Sequence, residues 1–272
     1  MPMTALVDAL HRGEAPDDAV ALTFDDGYLD NLTTAKPLLE AAGVPATIYL
    51  ATGWIGRDRP FWWDELESIL FWPEPAEFAV AIGGERVAIS LPPGSAPDPV
   101  DWRFGRKART VRQKAYVRLW TRLRGLAPDE RAAVMDELRR QAPSTCYDGE
   151  ALPMSVAQAE HLASSLVDVG AHGVTHSPLT KLPVEVRRSE VVESGKEAAR
   201  MSSQPPSGFA YPHGDRDRQT RDVVRGAGYR YACSTFAAAI DCGDYDVFDL
   251  PRLMVEDWTA EELIARMEAL RT

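Results

Sequence analysis

The 272-residue sequence predicts an α/β fold, a distorted (β/α) barrel that carries an inserted, partly helical segment. Three observations predict it. The chain opens with a β-α-β unit, the same alternation of strands and helices returns after Pro153, and the segment between has a different character.

The opening unit begins with AVALTF, residues 19–24, an apolar run of the kind that forms a buried strand. Residues 31–42 have the pattern of a helix that stops at Gly43, and VPATIYLA, residues 44–51, is typical of a second strand. Because strands joined through a helix are usually parallel neighbours, this unit predicts a parallel sheet.

After Pro153 the sequence again alternates between helical and strand-like segments. The predicted helices cover residues 155–165, 184–201, 220–226 and 259–270, and the predicted strands cover 167–172, 207–212, 229–234 and 248–253. Repeated β-α units over this length predict an irregular barrel, in which the chemistry lies at the C-terminal ends of the strands. The polar motifs of this chain fall at those positions.

We expect one domain over residues 1–272, with an insertion at about 57–153. Within the insertion, residues 102–124 carry nine Lys and Arg and no Asp or Glu, and they show helical periodicity. The simplest interpretation is the solvated face of a helix, and the alternative is a patch for an anionic handle on a substrate. The aromatic residues Phe61, Trp62, Trp63 and Phe71 either form a buried cluster or stack against sugar rings.

The composition excludes several classes of protein. With 45% hydrophobic and 26% charged residues the chain is globular, and a net charge of -11 argues against nucleic acid as a partner. Cys146, Cys233 and Cys242 have neither disulfide nor zinc-finger spacing. No basic segment followed by an apolar run opens the chain and no window is long enough to span a bilayer, so we expect a cytoplasmic protein without stable membrane insertion.

Asp25 and Asp26 directly follow the first predicted strand. Where a strand ends the chain can bend, so both carboxylates can reach one cavity, one to hold a metal and the other to accept a proton from water. The alternative for an isolated Asp-Asp-Gly is a simple turn after a strand.

His172 and His176 stand four residues apart in GAHGVTHSPL, directly after another predicted strand. This spacing predicts that both imidazoles lie on one side of a short helical turn, although such a pair is often incidental. One carboxylate with two imidazoles forms an open facial site that leaves room for water and a substrate oxygen.

TFDDG at residues 23–27 and HGVTH at residues 172–176 resemble the first two signature motifs of the polysaccharide deacetylase family, the NodB-homology domain of carbohydrate esterase family four. The phrases ALTFDDGYLDN and VPATIYLATGWIG extend the resemblance. It implies a distorted (β/α) barrel and metal-dependent removal of N-acetyl groups from an amino sugar, glycan or glycan precursor. The implied cofactor is a divalent metal ion, first zinc and otherwise cobalt, nickel or manganese. Asp25 would be the general base, and Asp26, His172 and His176 would bind the metal.

The segment FAYPHGD resembles the third family motif, which implies a substrate-binding role for Tyr211, Pro212 and Gly214. Ala210 occupies the position of the family's arginine, which holds the catalytic aspartate. We hypothesise that Arg252 fills this gap from a neighbouring strand end. The alternative is a surface arginine at a strand end.

His213 stands where the family motif has an aromatic residue, and its backbone N–H would help to stabilise the oxyanion. The family's general acid is a histidine near the C-terminus, and this sequence has no histidine after His213. Since a near-neutral imidazole suits the protonation of an amine, His213 is the candidate general acid.

Three functions follow from these residues. The leading one is a metal-dependent carbohydrate N-deacetylase, and its expected partner is an acetylated amino sugar or glycan, with or without an anionic handle. The alternatives are a related amidase acting on a small non-sugar or ring amide, and a carbohydrate-binding homologue with impaired catalysis. The intact base and metal-ligand motifs favour an active enzyme.

Overall fold

The computed structural model describes residues 1–93, 102, 104–142 and 151–270. The chain divides into two compact units, one formed by Met1–Gly56 with Met154–Thr272 and the other by Arg57–Pro153. Arg103 and Cys146, which belong to the predicted basic segment and the cysteine set, lie outside the described residues.

Strands and α-helices make up most of the regular structure. The strands are β1 Leu22–Phe24, β2 Ala46–Leu50, β3 Ala76–Ile82, β4 Glu85–Leu91, β5 Val167–Ala171, β6 Gly208–Ala210 and β7 Tyr231–Cys233. The α-helices are α1 Met3–Arg12, α2 Lys36–Ala42, α3 Trp62–Leu70, α4 Val111–Arg124, α5 Pro128–Gln141, α6 Val156–Glu160, α7 Val184–Ser202, α8 Arg218–Gly226 and α9 Ala260–Ala269. A π-helical turn, Asn31–Ala35, runs directly into α2.

The first unit is built on a parallel half-barrel sheet of five strands in the order β1-β2-β5-β6-β7. Its register pairs Phe24 with Ile48, Leu50 with Ala171, and Ala210 with Cys233. Because all five strands run in one direction, their carboxyl ends share an edge, and the residues that follow each strand meet there.

Apolar side chains cover both faces of this sheet. One core joins the strands to α2, α6, α7 and α8. On the other face α1 packs Leu6, Val7 and Leu10 against Tyr49 and Tyr231. The sequence analysis missed α1, although its apolar positions recur at helical spacing and it ends at a glycine with a left-handed φ of 68°.

Two predicted elements differ most from the structure. The strand predicted at residues 248–253 is wrong, since Leu250 makes only an isolated bridge with Cys233 and Pro251 next to it has no N–H to extend a ladder. The helix predicted at residues 155–165 ends at Glu160, where His161 caps it.

The second unit contains the antiparallel hairpin β3–β4 and the helices α3, α4 and α5. The hairpin was not predicted. Phe61 and Trp62 are buried in this unit, and Trp63 and Phe71 are half-buried. Arg112 is fully buried on α4 and donates to the carbonyls of Leu70 and Glu74 at 2.6 and 2.8 Å.

The Lys and Arg side chains of α4 lie in different environments. Lys114 and Arg118 are exposed one helical turn apart, whereas Arg122 lies 2.5 Å from Glu85.

Among the described residues, Cys233 is a buried free thiol and Cys242 an exposed one. No helix within the described ranges is both long and apolar enough to cross a bilayer.

Candidate metal centre

A sharp bend follows β1 and turns two carboxylates towards one imidazole. Asp26 and Gly27 have left-handed φ values of 77° and 90°, a conformation that Asp tolerates better than most residues. As a result, Asp26 Oδ1 lies 3.4 Å and Asp25 Oδ2 lies 3.9 Å from Nε2 of His172. The adjacent carboxylates therefore reach one cavity, at the carboxyl edge of the sheet.

The two histidines meet through an irregular loop. The helical turn predicted for residues 172–176 is wrong, since His176 has a left-handed φ of 53° and Gly173 one of 73°. The backbone N–H groups of Val174 and Thr175 donate to the carboxylate of Glu190 on α7, and not to carbonyls one turn earlier as in a helix. The loop still places Nε2 of His176 3.2 Å from Nε2 of His172.

The atoms that converge at this edge form a donor set for a cation. Asp26 Oδ1 lies 3.1 Å from His176 Nε2, and one ligand atom from each of Asp26, His172 and His176 falls within 4.8 Å of the others. His172 Nδ1 lies 2.7 Å from the carbonyl of Ala210, so when that nitrogen carries the proton Nε2 presents a lone pair. Burial lowers the pKa of His172, which favours the neutral, ligating form.

This donor set fits a divalent metal ion. Asp26 Oδ1 is buried and has no hydrogen-bond donor in the part of the chain that the structure describes. Lone pairs of a carboxylate and of unprotonated imidazole nitrogens that face one another repel unless a cation or a proton lies between them. Two nitrogens and one oxygen leave further coordination positions open for water and substrate.

Arg252 holds the Asp25 carboxylate in place. Its Nη1 and Nη2 each donate to one carboxylate oxygen of Asp25 at 2.7 Å, which is the bidentate arrangement that fixes a carboxylate most firmly. Arg252 also donates to the carbonyl of Ser234 at 2.9 Å and to Thr23 Oγ1 at 3.0 Å. Only 15% of its side chain is exposed, so Arg252 is not a surface residue.

The Asp25 carboxylate is ionised at neutral pH. Burial raises its pKa, but the positive charge of Arg252, followed by the effect of His172, outweighs burial and lowers the pKa of Asp25 to about 2. Asp25 therefore stands beside the donor set as a fixed, charged carboxylate.

His213 completes the group. It lies in the 3₁₀ turn Pro212–Gly214 with a left-handed φ of 57°, and its ring meets the ring of His176 edge-on with centroids 4.4 Å apart. The structure thus brings together all the predicted catalytic and metal-binding residues, which come from the ends of β1, β5 and β6 and from the segment after β7.

A family model described as polysaccharide deacetylase matches residues 12–71 and 139–232, more than half of the chain. The chain belongs to the polysaccharide deacetylase family. No curated protein matches it in sequence.

Solved structures of deacetylases share the fold of this family member. The Streptococcus pyogenes deacetylase PplD, in complex with acetate, matches with a TM-score of 0.58 and 16% identity, over 98% of this chain and 78% of that one. IcaB from Ammonifex degensii matches with a TM-score of 0.55 and 16% identity, over 100% and 81% of the two chains. A de-N-acetylase from Aggregatibacter actinomycetemcomitans matches with a TM-score of 0.52 and 14% identity, over 98% of this chain and 82% of that one. These likenesses confirm the predicted barrel fold of the NodB type.

In this member of the polysaccharide deacetylase family, the residues predicted to bind substrate are buried. Tyr211 is fully buried and its hydroxyl donates to the carbonyl of Phe248 at 2.8 Å, so its side chain offers no surface to a substrate. Pro212 and Gly214 are also buried, in the turn that carries His213. A Cβ on Gly214 would lie 2.1 Å from Thr235 Oγ1, so the close approach of these two segments requires glycine.

Sequence reasoning missed the residues that hold Arg252 in place. Ser234 and Thr23 are separated from it by 18 and 229 positions, and no local pattern links them. For Thr23, its place in TFDDG beside Asp25 was the one available signal.

Proposed function

We propose that this family member is a metal-dependent N-deacetylase that hydrolyses the N-acetyl group of an amino sugar in a glycan or glycan precursor. In this proposal Asp26, His172 and His176 bind the metal and Asp25 is the general base. The observation that carries it is the convergence of one carboxylate and two imidazoles beside a second carboxylate, which Arg252 keeps ionised.

A bound divalent ion, most simply zinc, with cobalt, nickel or manganese as the other candidates, would polarise the acyl oxygen and acidify water. The chain's own residues do the rest. Arg252 occupies one lone-pair direction on each oxygen of Asp25 and leaves others to accept a proton from the attacking water. The contact of His172 Nδ1 with the Ala210 carbonyl orients its Nε2 towards the centre.

His213 is proposed as the group that protonates the leaving amine, with its backbone N–H donating to the developing oxyanion. The edge-on contact between its ring and His176 supports this role, because it places an imidazole next to the donor set. His213→Gln would lower kcat with metal content unchanged. Turnover at the wild-type rate would remove His213 from the mechanism.

The decisive experiment is acetate release from a substrate panel. The panel contains chitin oligosaccharides, nucleotide- and lipid-linked N-acetyl sugars, and ring amides. Asp25→Asn should lose about 10³-fold in turnover, since it removes the base but keeps the shape, whereas the exposed Asp18→Asn serves as a control that stays at the wild-type rate. Hydrolysis of ring amides alone would replace the deacetylase proposal by the amidase, and metal binding without hydrolysis would favour a binding protein.

We also propose that residues 1–272 form one deacetylase domain with the insertion at about 57–153, and that the substrate carries an anionic handle. The run of Lys and Arg without Asp or Glu at residues 102–124 favours such a substrate. A lower KM for nucleotide-linked sugars than for neutral chitin oligosaccharides in the same panel would support the handle, and equal KM values would contradict it.

A further inference from the structure

We propose that Glu190 is a positioning residue that shapes the loop carrying both imidazoles of the candidate metal centre, an inference that rests on the function proposed above. Its carboxylate accepts hydrogen bonds from Val174 and Thr175, which lie between the proposed metal-binding side chains of His172 and His176. It acts on them through the backbone of residues 173–175.

Glu190 lies on the buried stripe of α7 and is only 5% exposed. A carboxylate on such a stripe is costly unless hydrogen bonds satisfy it. Arg187, almost one turn earlier on the same stripe, directs its guanidinium to Asp217 and Thr220 at 3.2 and 3.0 Å. The hydrogen bonds that Glu190 accepts from the loop are therefore what compensates its burial.

Both oxygens of Glu190 are used by the loop. Oε2 accepts from the backbone N–H of Val174 at 2.8 Å and from that of Thr175 at 2.9 Å. Oε1 accepts from the hydroxyl of Thr175 at 2.7 Å. One carboxylate thus bridges two consecutive amides that lie between His172 and His176.

The opposite side of the loop is bonded to the segment after β2. Thr52 N–H donates to the carbonyl of Gly173 at 3.0 Å, and Gly53 N–H donates to that of Val174 at 2.9 Å. The loop's carbonyls therefore face one segment and its amides face Glu190. Held from both sides, the backbone can keep a conformation that it would not adopt by itself.

That conformation is what brings the imidazoles together. His176 and Gly173 have left-handed φ values, and a helical turn, which the spacing alone predicts, would use the amides of the loop differently. A Cβ on Gly173 would lie 3.2 Å from Glu190 Oε2, so the carboxylate packs directly against the backbone at this point. Without Glu190 the two amides lose their shared acceptor, and the loop can relax away from the geometry in which the two Nε2 atoms lie 3.2 Å apart.

The test compares Glu190→Leu, which removes the acceptor at similar size, with Glu190→Gln, which keeps an acceptor oxygen. The matched control is Glu193→Leu, which removes an exposed glutamate from the same helix. Zn²⁺ affinity of each metal-free protein is measured by calorimetry, and the visible absorption of the Co²⁺ form reports ligand geometry. Deuterium exchange of the peptide that spans residues 172–176 reports loop order without metal.

We expect Glu190→Leu to lose about 10- to 100-fold in Zn²⁺ affinity, to alter the Co²⁺ spectrum and to exchange faster in the loop. Glu190→Gln should largely restore all three, and Glu193→Leu should match the wild type. If Glu190→Leu does not fold, Thr175→Val serves in its place. It keeps both amide hydrogen bonds to Oε2 and removes the hydroxyl that bonds Oε1 and lies 2.8 Å from Ser177 Oγ, so it should give a smaller effect in the same direction.

Two outcomes separate this inference from the proposed function. Wild-type Zn²⁺ affinity, Co²⁺ spectrum and loop exchange in folded Glu190→Leu would overturn the positioning role and leave the metal site intact. A wild-type protein that binds no metal would instead overturn the proposed function, and faster loop exchange in Glu190→Leu would then still support the action of Glu190 on the loop.

Discussion

Replacing Arg252 by Met removes both hydrogen bonds to Asp25 and keeps a side chain of similar reach. The pKa of Asp25, at about 2, lies nearly two units below its ordinary 3.8, which corresponds to about 2 kcal/mol in favour of the ionised form. The two side chains are only 15% and 26% exposed, so solvent screens this pair less than a surface pair. Since the variant leaves a carboxylate without its partner, we expect the free energy of unfolding to fall by about 3 kcal/mol.

The stabilisation that Asp25 gives depends on pH because its pKa is lowered in the folded protein. Because the pKa of Asp25 is lower in the folded state, its stabilisation is complete above the ordinary value near 3.8 and is lost as the pH falls through about 2. The difference in unfolding free energy between wild type and Arg252→Met is therefore largest at neutral pH and shrinks in acid. Catalysis should also fall, by about 10²-fold in kcat/KM, because Asp25 is no longer held in place.

Urea unfolding at several pH values and acetate release measure the two effects. Arg230→Met is the matched control, because Arg230 pairs with Asp8 in an exposed salt bridge worth less than about 1 kcal/mol. Arg252→Lys keeps the charge without the bidentate geometry and should give an intermediate result. If Arg252→Met matched Arg230→Met in both unfolding free energy and kcat/KM, the proposed role of Arg252 in stabilising and positioning Asp25 would be refuted.

Three further substitutions test local features. Gly214→Ala places a Cβ against Thr235 at a left-handed φ and should lower the free energy of unfolding by at least about 2 kcal/mol; a thermal midpoint equal to wild type would contradict the close approach. Thr110→Ala removes the capping box of α4 and should cost about 1 kcal/mol in urea unfolding, and no change would mean that the cap is dispensable. Asp217→Ala removes the side chain that caps α8 by accepting from the N–H of Thr220. Because hydrogen bonds lower the pKa of Asp217 against the effect of burial, the free energy of unfolding should fall in full at neutral pH and be unchanged in acid. A fall in unfolding free energy that does not depend on pH would contradict this.

The residues that follow strands could be predicted because their signal is local. Asp25, Asp26 and His172 come directly after apolar runs, and the rule that carboxyl ends of parallel strands share an edge brings them together without further information. The helix that stops at Gly43 was also predictable, since that glycine adopts the left-handed φ of 65° that commonly ends a helix.

Other features depend on contacts that no local pattern encodes. Asp25 and Arg252 are 227 positions apart, and their pairing depends on the path of the chain after β7. The only sequence signal for it is indirect: Ala210 stands at the motif position of the family's arginine, so another arginine is needed. The spacing of His172 and His176 favoured a helical turn, but Glu190, fourteen positions after His176, diverts the amides of the loop. Tertiary hydrogen bonds in this loop override the local preference.

The most direct test of the proposed metal centre is the metal content of the purified protein, compared with that of Asp26→Ala and His176→Ala, alongside acetate release from the same samples. We expect about one divalent ion per chain in the wild type and its loss in both variants together with acetate release, since each change removes one of the three proposed ligands. Metal content that stays the same in both variants would contradict the assigned ligands.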